Sequence, residues 1–97
     1  MAYLTIARFP GDPQVLLEAY RRSADVMSGV GRDYGLVLHA AAKADDGLVV
    51  INLWPSRDES EAAARDPRRL GALADAPIDP SRIEREHLEL ESYELFS

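Results

Sequence analysis

The 97-residue sequence contains no cysteine, which excludes disulfides, thiolate catalysis and metal centres held by cysteine. It also lacks an apolar run approaching the roughly 20 residues that a membrane helix needs. The opening residues, MAYLTIARFP, have no basic leader and no long apolar stretch, so they do not look like a signal peptide. We therefore predict a cytoplasmic protein with no membrane partner.

Basic residues are in deficit, with 11 Lys and Arg against 17 Asp and Glu and a net charge of -6. Proteins that bind nucleic acid usually carry a basic stripe. The one dense basic stretch holds Arg65, Arg68 and Arg69, and Asp66 interrupts it, so we interpret it as the solvated end of a helix. The sequence predicts no nucleic-acid partner.

The hydrophobic patterns along the chain predict the order strand, helix, strand, strand, helix, strand. Helices are predicted at 13–28 and 57–75, and Pro67 is expected to kink or split the second helix. Strands are predicted at 2–9, 36–44, 48–54 and 83–96. This order predicts one α+β domain over residues 1–97 with a ferredoxin-like βαββαβ fold, in which both helices cover one face of a four-stranded antiparallel sheet.

Turn and cap residues set the expected boundaries. Asp12 can cap the first helix, and Pro13 suits its first position. Gly29 and Gly31 are candidate stops for that helix. The pair Asp46-Gly47 between two apolar runs is a strong hairpin signal, because both turn positions need a positive φ.

The faces of the sheet follow from that turn. With a loop of Asp46 and Gly47, His39 lies opposite Trp54, and directly opposed residues share a face. The aliphatic face, which includes Leu38, Ile51 and Leu53, is then predicted to pack under the helices. The other face is mixed and is predicted to stay open; it carries Tyr3, Thr5, Val37, His39, Val50, Asn52, Trp54, His87 and Tyr93.

An open face with this much apolar surface is expected to be covered. A second copy packed face to face would cover it, so the sequence predicts a homodimer through the open sheet face. The polar groups among the apolar ones suggest an unfilled cavity for a small hydrophobic or aromatic ligand.

Three segments resemble the dimeric α+β barrel superfamily, and most closely its antibiotic-biosynthesis-monooxygenase-like branch. They are YLTIARF (3–9), GLVLHAAAKADDGLVVINLWPSRDESEAA (35–63) and HLELESYELF (87–96). The most specific element is a strand that ends in Trp54 and is followed by Ser56 and Glu59, which also form a capping-box pattern. This resemblance covers nearly the whole chain and implies fold more than function.

The resemblance implies several activities. Some members are cofactor-free oxygenases of polyketide quinones, in which a strand asparagine and a tryptophan line the cavity, and Asn52 and Trp54 are of the same types. Haem-degrading members ligate iron through a histidine of the second helix, and residues 57–75 contain none. Other members cyclise polyketides or isomerise lactones, and some have no known activity. We predict no cofactor and no metal, since His39, His87 and Glu89 lack the spacing of a metal motif.

The predicted catalytic residues are His39, Asn52 and His87. An imidazole titrates near neutral pH and suits proton transfer, and the amide of Asn52 could hold an oxygen where charge develops. The alternatives are a structural histidine and an asparagine that only bonds a neighbouring side chain. The predicted substrate-binding residues are Tyr3, Thr5, Val37, Val50, Trp54 and Tyr93.

The first functional hypothesis is a cofactor-independent monooxygenase-like enzyme acting on a small aromatic or polyketide-like compound. A cyclase or isomerase would use the same groups. The other alternative is a non-catalytic ligand-binding or stress-response protein with the same cavity.

Overall fold

Four strands and three helices make up the fold in the computed structural model, which describes residues 1–96. The strands are β1 (Tyr3–Pro10), β2 (Leu38–Ala44), β3 (Gly47–Trp54) and β4 (Glu84–Glu89). The helices are α1 (Pro13–Asp33), α2 (Arg57–Ala64) and α3 (Pro67–Ala74), and a short 3₁₀ turn at Pro80–Arg82 precedes β4. The predicted βαββαβ order is confirmed, with the second helix split at Pro67.

The strands form one antiparallel sheet in the order β2-β3-β1-β4. Strands β1 and β3 are central, and β2 and β4 are the edges. All the helices lie on one side, as the ferredoxin-like fold requires. The other side carries no helix.

Helix α1 starts where the sequence predicts. The Asp12 carboxylate accepts hydrogen bonds from the backbone N–H groups of Gln14 and Val15, at 2.9 and 3.3 Å. These N–H groups have no partner within the helix, so the cap stabilises its first turn. Pro13 occupies the first helical position, where its missing N–H costs nothing.

Helix α1 ends later than predicted, at Asp33 rather than near residue 28. Neither Gly29 nor Gly31 stops it. Gly31 is instead needed for a close approach, because a Cβ there would lie 2.8 Å from Cδ2 of Leu36. The glycine that lets the chain leave the helix is Gly35, with a φ of +75°.

The predicted capping box at α2 is not formed between residues 56 and 59, because neither of its two backbone hydrogen bonds is made there. Ser56 is the N-cap residue, but its side chain accepts no backbone hydrogen bond. Its hydroxyl donates instead to the Glu59 carboxylate, and this bond lowers the pKa of that carboxyl. Negative charge at the helix N-terminus is stabilised by the helix dipole, and Asp58 and Glu59 both lie there.

The β2–β3 hairpin turns at Asp45 and Asp46, with Ala44 paired to Gly47. The predicted Asp46-Gly47 loop is therefore wrong by one position, and the register moves by two residues. His39 faces Asn52 rather than Trp54. Because the register changes by an even number of residues, each side chain shares a sheet face with the same residues that the sequence predicts.

The predicted assignment of the two faces is reversed. Tyr3 and Trp54, predicted to lie on the open face, form a buried cluster with Val30 of α1 and Ala63 of α2. The mixed face of the sheet thus lies under the helices, and the aliphatic face is open. Both faces carry enough apolar area to be covered, so alternation alone does not decide between them. The indole and phenol rings pack under the helices against Val30 and Ala63.

The open face is aliphatic and only partly buried within the chain. Leu38 and Leu88 on its edge strands are 39% and 45% exposed, while Leu53 at its centre is buried. No side chain among residues 1–96 falls below 2% exposure, apart from small Ala63 at 1%. The face contains Leu4, Ile6, Leu38, Ala40, Val49, Ile51, Leu53 and Leu88, and on the β1 and β4 side it also carries the ion pair of Arg8 with Glu86.

Strand β4 is shorter than the predicted 83–96. It ends at Glu89, and one further backbone bond joins the Leu90 N–H to the Ala2 carbonyl. The residues that follow, 91–96, form no strand with this sheet, and Phe96 is 90% exposed.

Candidate functional site

A cavity of about 230 Å³ lies between the sheet and the helices. Apolar cavities of roughly 150 Å³ hold benzene, so this one has room for a somewhat larger ring system. Its floor includes Thr5 and Ala7 of β1 and Val50 of β3, and its roof includes Ala19 and Met27 of α1. The cavity belongs to one chain, and the predicted position between two protomers is wrong.

Four residues of the floor form a row that crosses the whole sheet under the helices. Backbone pairing places His87 beside Thr5, Thr5 beside Asn52, and Asn52 beside His39. Three strand spacings separate the ends, or about 14 Å between the backbones of the two histidines. Both histidines line the same cavity, and they lie on opposite edge strands of the sheet.

His39 is held between two hydrogen-bonding side chains. Its Nε2 lies 2.6 Å from the Tyr20 hydroxyl, and its Nδ1 lies 2.6 Å from Oδ1 of Asn52. The rings of Tyr20 and His39 are also nearly parallel, at 15°, with centroids 5.8 Å apart. Helix α1 supplies the tyrosine and the β2–β3 pairing supplies the asparagine, so three elements fix one imidazole.

The bonding pattern defines the state of this imidazole. Oδ1 of Asn52 can only accept, so Nδ1 of His39 carries a proton and donates it. Nε2 then accepts from the Tyr20 hydroxyl in the neutral ring. In this state Nε2 of His39 can accept the Tyr20 proton. The Asn52 side chain uses its Oδ1 towards His39, so its NH₂ group can donate to a ligand oxygen.

The other predicted site residues fall into two groups. Thr5, Val50 and Trp54 line the cavity with His39, Asn52 and His87. Among residues 1–96 the cavity lining does not include Tyr3, Val37 or Tyr93. Tyr3 lies in the buried cluster, and its ring is tilted by 31° to that of His87 at a centroid distance of 6.0 Å. Tyr93 follows β4 and is 47% exposed.

Most of the lining residues were not among the predicted site residues, and three of those bear on the chemistry: Tyr20, Arg69 and Arg85. Tyr20 lies at helical spacing with Leu16 and Met27 on the face of α1 that lines the cavity. A tyrosine among packing residues of this kind is a signal that the sequence could have given. Arg69 was interpreted as part of a solvated helix end, but it is half-buried in the cavity wall, and burial lowers its pKa. Nothing in the local sequence distinguishes it from Arg68.

Asp66 forms a separate structural clamp outside the cavity. Its carboxylate accepts bonds from the Tyr34 hydroxyl at 3.0 Å and from Arg68 Nε and Nη2 at 3.0 and 2.9 Å. Arg68 also pairs with Asp33 at 2.9 Å. Hydrogen bonds from Arg68 hold the pKa of the Asp66 carboxyl well below its usual range. The clamp joins the end of α1 to the start of α3.

Residues 1–96 contain no group of three or more His, Cys, Asp or Glu side chains arranged to hold a metal ion. In the same part of the chain, no helix combines the length and apolar character needed to cross a bilayer.

No protein-family model and no curated protein matches the chain, but solved structures of the same fold do. Rv0793 from Mycobacterium tuberculosis superposes with a TM-score of 0.75 and 17% identity over 96% of this chain and 98% of that one. A monooxygenase from the gene ActVA-Orf6 of Streptomyces coelicolor, in complex with nanaomycin D, gives 0.74 and 18% over 99% and 93%. SnoaB, a cofactor-independent oxygenase from Streptomyces nogalater, gives 0.69 and 21% over 95% of each chain. At these identities the similarity shows the fold, and the resemblance to antibiotic-biosynthesis-monooxygenase-like α+β barrels is confirmed at that level.

Proposed function

We propose that this protein is a cofactor-independent monooxygenase that acts on a small phenolic aromatic compound. The observation that carries the proposal is the Tyr20–His39–Asn52 arrangement at one end of an apolar cavity. It combines a proton acceptor, a hydroxyl and a free amide donor in a space that suits one or two aromatic rings. Oxygenases of the same fold, SnoaB and the ActVA-Orf6 protein, support this class of reaction.

The role of Tyr20, His39 and Asn52 is to deprotonate the substrate phenol, because the phenolate ring itself can react with O₂. His39 withdraws the Tyr20 proton while Tyr20 takes up the proton of a substrate phenol, so the phenolate forms without charge at the tyrosine. The amide of Asn52 donates to the phenolate oxygen. The electron-rich ring then reduces O₂ itself. One oxygen atom enters the ring and the phenol becomes a quinone. The other oxygen atom leaves as water with the phenol proton, returned from His39, and the hydrogen of the oxygenated ring carbon.

A two-ring probe makes the reaction measurable. With 1,5-dihydroxynaphthalene, one O₂ is consumed per molecule, and the products are 5-hydroxy-1,4-naphthoquinone and one water. The quinone is coloured, so oxygen uptake and absorbance should agree. His39→Ala should lower the rate about 100-fold or more, the usual contribution of a positioned base. Lys43→Ala is the matched control, because Lys43 lies on the same strand, is exposed and does not line the cavity.

Equal rates for the wild type and His39→Ala would refute the assigned role of His39. Binding of the probe without oxygen uptake above the uncatalysed background would instead support a non-catalytic ligand-binding protein.

We further propose a homodimer, formed through the aliphatic open face rather than the mixed face. Its exposed leucines are apolar surface that a second copy would bury. A solved structure of the same fold, from Jannaschia, is described as a dimeric ferredoxin-like protein, with a TM-score of 0.73 and 12% identity over 93% of this chain and 100% of that one.

The dimer can be tested by light scattering after gel filtration. The wild type should elute at twice the 10.7 kDa of one chain. Leu88→Glu should shift the population towards monomer, because it places a charge on the open face. Val15→Glu is the control: Val15 is 46% exposed, against 45% for Leu88, but it lies on α1. Equal dissociation by both variants would exclude the open face as the interface.

A further inference from the structure

The end of the cavity opposite His39 is positively charged. Arg69 of α3 and Arg85 of β4 both line it, beside His87. Arg85 pairs with Ala7 on the floor of the cavity, one row from the Thr5–His87 pair. The Arg69 guanidinium donates one hydrogen bond, from Nη1 to the Ala64 carbonyl at 3.2 Å.

These arginines have no acidic partner among residues 1–96. Ion pairs in that part of the chain involve Arg8, Arg57 and Arg68, and no carboxylate comes within 4.0 Å of Arg69 or Arg85. Burial lowers the pKa of Arg69, and the positive charge of Arg85 lowers it further. Arg69 is half-buried, and a charge at such a position normally has a counter-charge, whereas Arg85 beside it is exposed at the edge of the cavity.

We propose that Arg69 and Arg85 bind an anionic group of the ligand, a carboxylate attached to the aromatic ring system. A guanidinium matches a carboxylate in charge and in geometry, since it can donate two parallel hydrogen bonds. The inference rests on the proposed function, because it concerns the far end of the same cavity. It makes the substrate an aromatic acid.

The spacing of the sheet sets the size of this acid. Two strand spacings separate Arg85 on β4 from Val50 and Asn52 on β3, or about 10 Å between backbones. Two fused rings with a carboxylate at one end and a hydroxyl at the other match that distance. The carboxylate then lies at the arginines, the rings lie over Ala7 and Val50, and the hydroxyl reaches Tyr20 and Asn52.

Binding of a matched pair of probes tests this directly. By calorimetry, 6-hydroxy-2-naphthoate should bind about tenfold more tightly than the neutral 6-hydroxy-2-naphthamide. Arg85→Gln should remove this preference while leaving the affinity for the amide within about twofold. We choose Arg85 for this substitution because its side chain makes no hydrogen bond within residues 1–96, whereas Arg69 donates one to the Ala64 carbonyl. Arg69→Lys, which retains the charge, should keep part of the preference.

Arg21→Gln is the control for net charge, since Arg21 is exposed on α1 and does not line the cavity. It should leave the preference for the acid unchanged. The inference is overturned if the wild type binds the acid no better than the amide, or if Arg85→Gln retains the preference. Oxygen uptake is not needed for this readout. A preference for the acid without turnover would reject the oxygenase and keep the anion site, and turnover without the preference would do the reverse.

Discussion

Gly47 offers the sharpest test of the hairpin register, through the variant Gly47→Ala. In the predicted turn this glycine would be exposed and would need a positive φ. In the structure it is a buried strand residue paired with Pro10, and its φ is not positive. A Cβ there would collide with the carbonyl oxygen of Phe9 and lie 3.2 Å from Cα of Pro10. Both are backbone atoms, so the ends of β1 and β3 would have to separate.

The cost of Gly47→Ala follows from what separates. Overpacking of this kind costs about 1–3 kcal/mol. The nearby bond from the Gly11 N–H to the Asp46 carbonyl, at 3.0 Å, contributes about 1 kcal/mol. A loss of about 2–4 kcal/mol should lower the melting temperature by about 10 °C or more in a domain of this size.

Gly71→Ala is the matched control for Gly47→Ala. Gly71 is exposed within α3, and a Cβ there meets no heavy atom within 4 Å. Alanine should stabilise this helix by about 0.5–1 kcal/mol and raise the melting temperature by a few degrees. Thermal denaturation followed by circular dichroism measures both variants. If Gly47→Ala melts within about 3 °C of the wild type, the close approach of Gly47 to β1 is refuted.

Three further predictions concern the clamp, the site and the core. Because its folded pKa is depressed, Asp66 contributes stability that is fully present above about pH 4, the ordinary carboxyl pKa, and that declines as the pH falls towards the folded pKa. The urea midpoint of the wild type should therefore exceed that of Asp66→Asn at pH 7, and the difference should shrink steadily as the pH is lowered below about 4. Tyr20→Phe keeps the ring against His39 but removes the hydroxyl. The rate of oxygen uptake should fall about tenfold or more, while urea titrations should show a stability loss of no more than about 1 kcal/mol. An unchanged rate would exclude Tyr20 from proton transfer. Leu16→Ala, at a side chain that is 4% exposed, should cost about 2–5 kcal/mol by the same measurement, and a loss below about 1 kcal/mol would show that the helix does not depend on it.

The elements were predictable because their signals are local. Asp12 and Pro13 start α1, and Pro67 splits the second helix, each through the geometry of its own residue. The end of α1 was not predictable in this way. Gly31 is small because Leu36 packs against it, and that contact exists only after the chain has folded back.

The composition of the two sheet faces was predictable, but the side that the helices cover was not. Alternation placed His39, Asn52 and Trp54 together, and an even register shift preserved that set. Choosing the covered side needed the Tyr3–Trp54–Val30 contact, which joins residues far apart in sequence. The cationic end of the cavity was missed for the same reason, because Arg69 and Arg85 meet only through the fold.

The reversal of the two faces has a consequence for subunit independence. Each protomer carries the residues from Arg85 to His39 on the helix-covered face of its own sheet, so in the proposed dimer each subunit holds both ends of its own site. A mixed dimer made of one His39→Ala subunit and one Arg85→Gln subunit therefore has no intact centre. Complementation between two damaged subunits, which is common where catalytic groups come from opposite protomers, has no structural basis in this arrangement.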